Sequence, residues 1–111
     1  MERYEVILTD EAKADLRAAA RSIAVELRQP DTAECLLDRF DAEIASLETM
    51  PFRHPCVQEP DLASRGIRMT MVGKYLLFFL ADRSAGTVTL LRILHGRRDW
   101  FRILHAQPDD V

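Results

Sequence analysis

Residues 66–96 read GIRMTMVGKYLLFFLADRSAGTVTLLRILHG, and the periodicity of this run decides the fold. In its first part Ile67, Met69 and Met71 alternate with Arg68 and Thr70, the period of a half-buried strand. KYLLFFLAD is apolar at both parities, as expected of a central strand covered on both faces. DRSAG supplies a hairpin turn, and TVTLLRILH is a further strand rich in β-branched residues. Period two along that last strand puts Thr89, Leu91, Ile93 and His95 on one face and Val88, Leu90, Arg92 and Leu94 on the other. Neither set is cleanly polar, so the pattern leaves open which face is covered.

The first half of the chain supplies the cover. YEVIL, residues 4–8, reads as a short strand, and Thr9 follows as a helix N-cap with Asp10 and Glu11 in the first turn. Ala12, Leu16, Ala19 or Ala20, Ile23 and Leu27 then recur in steps of three and four, an apolar helical stripe. Pro30 interrupts it, and Asp31 with Glu34 forms a capping arrangement for a second helix. The second stripe runs Ala33, Leu36, Leu37, Phe40, Ile44 and Leu47, and Met50–Pro51 stops it. An irregular stretch with Pro51, Pro55 and Pro60 leads into the strands, and RRDWFRIL closes the chain as a short amphipathic helix. The expected order is β-α-α-β-β-β-α. This is an α+β fold, one domain over residues 1–111, with a helical hairpin packed on one face of the sheet.

Composition narrows the function classes. The chain has 111 residues, 15 Lys and Arg against 18 Asp and Glu, and a net charge of −3. A global basic footprint for nucleic acid is therefore absent, and any basic site must be local. No apolar run reaches membrane-spanning length, and the first residues lack the layout of a signal peptide, so a cytoplasmic location is expected. Cys35 and Cys56 are far apart and read as free thiols. His54 and Cys56 would offer two metal ligands, but no second pair at zinc-like spacing follows, and neither a metal nor a cofactor is expected.

The most chemical stretch is RILHGRRDW, residues 92–100. His95 ends a strand beside Gly96, Arg97 and Arg98 follow, and Arg68 sits mid-strand with Arg65 just before it. Cations converging on one edge or face of the sheet would suit RNA cleavage by its own 2′-hydroxyl. That reaction needs a base, an acid and cations for the phosphate charge of the transition state. Histidine titrates in the useful range and arginine offers phosphate a bidentate fork. The plain structural reading stands beside it: the arginines pair with Asp99 and His95 caps the strand. Trp100, Phe101, Ile103 and Leu104, at helical spacing, read as core or partner-facing residues.

The chain resembles the RelE/ParE superfamily of bacterial toxins from type II toxin–antitoxin systems, also described as plasmid stabilisation proteins. YEVILTDEAKADL, GIRMTMVGKYLLFFLAD and TVTLLRILHGRRDW followed by IL carry the likeness, in the family's order, across nearly all of residues 4–104. The resemblance implies a helical hairpin on a mostly antiparallel four-stranded sheet. It implies a growth-inhibiting toxin neutralised by a cognate antitoxin, with promoter DNA bound only through the antitoxin. It leaves two targets. RelE-like members are ribosome-dependent, metal-independent mRNA endoribonucleases, which would make His95, Arg68, Arg97 and Arg98 catalytic. ParE-like members inhibit DNA gyrase and are not nucleases; Arg65, Trp100, Phe101 and Leu104 would then contact target or antitoxin. Gly96 stands where nucleases often carry tyrosine, and the loop before the strands has Glu59 and Asp61 in place of lysines. With the acidic net charge, these departures favour the gyrase-directed reading.

Overall fold

A computed structural model describes residues 3–27, 30–96 and 98–106. Its elements run β1 (Glu5–Leu8), α1 (Asp10–Leu27), α2 (Pro30–Ser46), a 3-10 turn (Pro51–Arg53), α3 (Pro60–Ser64), β2 (Arg68–Val72), β3 (Tyr75–Asp82), β4 (Thr87–His95) and α4 (Trp100–Ala106). The expected order holds, with α3 added in the proline-rich stretch. There Glu59 is the N-cap: its carboxylate accepts the N–H groups of Asp61 and Leu62, and Pro60 occupies the first helical position. Burial pushes the Glu59 carboxyl up, but the two N–H groups and His105 outweigh it and hold it below its ordinary range. The second helix begins at Pro30 itself, so Asp31 falls inside its first turn and does not cap it.

The sheet order is β1-β4-β3-β2. Strands β2, β3 and β4 form the antiparallel meander, and β1 joins β4 in parallel through the helical crossover. The hairpin turn closes where Gly86, at φ +69°, donates its N–H to the Asp82 carbonyl.

Neither face is bare among the described residues. On one, Ala12, Ile23, Phe40 and Leu47 from the helical hairpin pack on Val72, Leu77, Phe79, Val88, Leu90 and Ile93. On the other, Val57, Leu62, Ile67 and Leu104 pack on Leu76, Phe78, Leu91 and Leu94. Thus β3 alternates between two cores, as its continuous hydrophobicity requires. Leu27 and Ala33, from the two helical stripes, lie outside the residues whose side chains are described.

The face assignment along β4 needs correcting. Phe78 pairs with Arg92 and Phe79 with Leu90, so Leu91 is an extra residue opposite the β3 strand. This β-bulge shifts the alternation. Val88, Leu90 and Ile93 share the helical-hairpin core, whereas Leu91 and Leu94 enter the second core. Strict period two splits both of those groups.

The bulge lies where β1 ends, leaving the edge of β4 beyond Leu90 without a strand partner from β1. Helix α1 fills the role. The Thr9 hydroxyl accepts the Ala12 N–H at 3.0 Å, the expected cap, and donates to the Leu91 carbonyl at 2.8 Å. Nearly two turns on, the Asp15 carboxylate accepts the Ile93 N–H at 3.0 Å and a bidentate pair from Arg92 at 2.7 and 3.0 Å. The hydrogen bonds to Asp15 hold the Arg92 guanidinium above its already high range, against the opposing pull of burial.

Candidate functional site

The expected site residues divide between two regions. His95 ends β4, opposite Tyr75, and their rings meet edge to face with centroids 5.3 Å apart. Gly96 follows because a Cβ there would stand 3.3 Å from the Lys74 carbonyl, which also accepts the Gly96 N–H at 2.8 Å. The close approach of that carbonyl gives the glycine a structural reason. His95 and Arg98 line one cleft of about 140 Å³ with Asp15, Ala18, Ala19, Ser22, Tyr75 and Ile93. This cleft lies between α1 and the end of β4, on the helical-hairpin side of the sheet. Arg97 lies outside the described residues.

Arg68 is elsewhere. It pairs with Phe79, whereas His95 pairs with Tyr75, four residues along β3 and on its other flank. At about 3.3 Å per residue and 4.8 Å per strand, the two backbones stand about 16 Å apart. The Arg68 guanidinium donates to the His54 carbonyl at 2.6 Å and the Phe52 carbonyl at 3.4 Å, and lies 5.0 Å from the Phe52 ring centroid. It fastens the loop that contains the 3-10 turn. The structure therefore brings His95 and Arg98 together and leaves Arg68 out.

The proposed contact residues also divide. Leu104 is fully buried in the second core, and Trp100 stacks at a tilt on Phe78, centroids 5.5 Å apart. Phe101 is exposed on the outer side of α4. Arg65 is the C-cap of α3 and half-buried.

Sequence reading missed the groups around His54. Its ring meets Phe79 edge to face, and its Nε2 is buried without a hydrogen bond, 3.9 Å from a Glu43 carboxylate oxygen that accepts the Thr70 hydroxyl. Burial, then the Arg53 charge, pushes the His54 pKa down, and the attraction of Glu43 does not offset them. A lone histidine between prolines gives no periodic signal for such burial. A second missed group joins Glu59, Asp61 and His105 across α3 and α4.

The family model for the ParE toxin of type II toxin–antitoxin systems, parDE, matches residues 6–100. The chain belongs to the ParE toxin family. Solved structures agree in fold with this ParE-family toxin. The chromosomal ParDE toxin–antitoxin system from P. aeruginosa is similar at a TM-score of 0.65 and 18% identity, over 84% of this chain and 96% of that one. The toxin–antitoxin complex RelBE2 from Mycobacterium tuberculosis is similar at 0.57 and 23% identity, over 84% and 98%. Curated protein sequences give no significant match. Among the described residues of this ParE-family toxin, no helix is long and apolar enough to cross a membrane.

Proposed function

We propose that this type II toxin is ParE-like in action: a growth inhibitor that binds DNA gyrase in the cytoplasm and is neutralised by a cognate antitoxin. The observation that carries the reading is the use of Arg68. Its guanidinium is committed to the Phe52 and His54 carbonyls, and its backbone stands about 16 Å from that of His95 by strand geometry, which counts against a His95–Arg68 catalytic pair. The net charge of −3 also suits a protein target better than ribosomal RNA. Phe101, exposed on α4, and Arg65 at the end of α3 are the contact residues this reading favours. Trp100 and Leu104 act indirectly, by holding α4 in place.

One observation favours a second reading, a metal-independent endoribonuclease. His95, Arg98, Tyr75 and Ser22 share a cleft large enough for a phosphate group. Inducible expression of the chain alone separates the two, with primer extension on cellular mRNA and a plasmid topology gel from the same culture. Altered supercoiling with intact mRNA, and toxicity retained in His95→Ala and Arg68→Ala, is the expected result. Codon-phased mRNA breaks, normal topology and harmless His95→Ala would overturn it in favour of the nuclease.

A further inference from the structure

We propose that Glu59, Asp61 and His105 form a binding site for a divalent transition-metal ion, zinc in the first instance, that ties α4 to α3. The site goes beyond the toxin reading and does not depend on it. One ligand atom from each residue lies within 4.8 Å of the others. The His105 Nε2 is buried and has no hydrogen-bond partner, although it stands 3.5 Å from a Glu59 carboxylate oxygen. That separation is long for a charge-assisted hydrogen bond, which prefers about 2.7–2.9 Å. It matches two ligands on one cation: atoms about 2.1 Å from a tetrahedral zinc stand about 3.4 Å apart.

The surrounding structure fixes two of the three ligands. Glu59 is held by the Asp61 and Leu62 N–H groups, one on each carboxylate oxygen, and each oxygen keeps a second lone pair. His105 is oriented by Phe101, one helical turn earlier, whose ring centroid is 4.3 Å from the imidazole. Asp61 is exposed and offers the third ligand oxygen. One imidazole with two carboxylates suits zinc and its neighbours; calcium and magnesium prefer all-oxygen sets. Three protein ligands leave a position for water. Residues 46 positions apart in sequence build the site, so spacing alone does not reveal it.

The test uses the full chain freed of metal with EDTA and titrated with zinc chloride by calorimetry. One-to-one binding with a micromolar or tighter Kd is expected. Asp61→Asn, at an exposed position, should weaken it about tenfold or more, and His105→Gln should do so at least as strongly. Circular dichroism checks that both variants are folded. In nitrogen-15 spectra of the imidazoles, zinc should shift His105 and leave His54 and His95 in place. No binding up to about 1 mM zinc would overturn the proposal, leaving only a His105–Glu59 ion pair. Equal binding by parent and both variants, or a zinc shift at His54 or His95, would overturn it as well.

Discussion

Removing the Asp15 carboxylate should be among the most damaging single changes in this chain, because one side chain serves three donors. Asp15→Ala strands the Arg92 guanidinium and the Ile93 N–H together. The side chains of Asp15 and Arg92 are only 11% and 17% exposed, so water replaces the lost partner poorly. The guanidinium has no escape through deprotonation, since its pKa is high to begin with. Breaking a fully buried pair costs about 3–5 kcal/mol, and an unsatisfied strand N–H about 1–3 kcal/mol. The residual exposure and the overlap of the two effects bring the expected loss to about 3 kcal/mol. Urea unfolding measures it: with a slope near 1.3 kcal/mol/M, the midpoint should fall by about 2 M. Replacing both partners, Asp15→Ala with Arg92→Met, should be less destabilising than the sum of the single changes by about 2 kcal/mol, because no charge is then left buried and alone. A loss below about 1 kcal/mol, or a coupling energy of zero, would refute the idea that this ion pair replaces the missing strand neighbour of β4.

Three other outcomes are expected. Thr9→Ala removes both the α1 cap and the bond to the Leu91 carbonyl and should cost about 1–2 kcal/mol in the same urea assay, whereas Thr9→Ser should cost less than half of that. Leu104→Ala should cost about 2–4 kcal/mol and red-shift Trp100 fluorescence as α4 loosens from Phe78. His54 has a folded pKa below its ordinary 6.5, so the unfolded chain takes up its proton first as pH falls. Its neutral form supports the fold fully above about pH 6.5, and that support is lost as pH falls through 6.5 and then through the folded value. Stability measured between pH 8 and pH 5 should therefore fall less steeply in His54→Gln than in the parent.

The hairpins, both long helices and the two-sided burial of β3 were legible because each rests on local periodicity or a local turn. The face exchange along β4 was not. Bulge and regular strand share one sequence pattern here, and the bulge is fixed by Thr9 and Asp15, more than 70 residues upstream. The short α3 was signalled by Glu59–Pro60, an acid before a proline, but five residues are too few for a periodic stripe. For the candidate site, His95 and Arg98 share a cleft because they flank one tight exit from β4. Arg68 looked equally available in the sequence, and only the tertiary path of the loop at Phe52 and His54 shows that backbone carbonyls occupy it.

The alternation of β3 between two cores has a consequence for how the molecule opens. Leu77 and Phe79 belong to one core and Leu76 and Phe78 to the other, so neither core can be exposed fully without disturbing a backbone that also serves its opposite. The amides of Leu76 to Phe79 should therefore exchange with deuterium only through whole-molecule unfolding, while those of α4 and α3 exchange through partial detachment. The chain has a spine with a slow clock and an outer shell with faster ones. A partner protein docking on the shell would meet contacts that can rearrange without the spine registering the change.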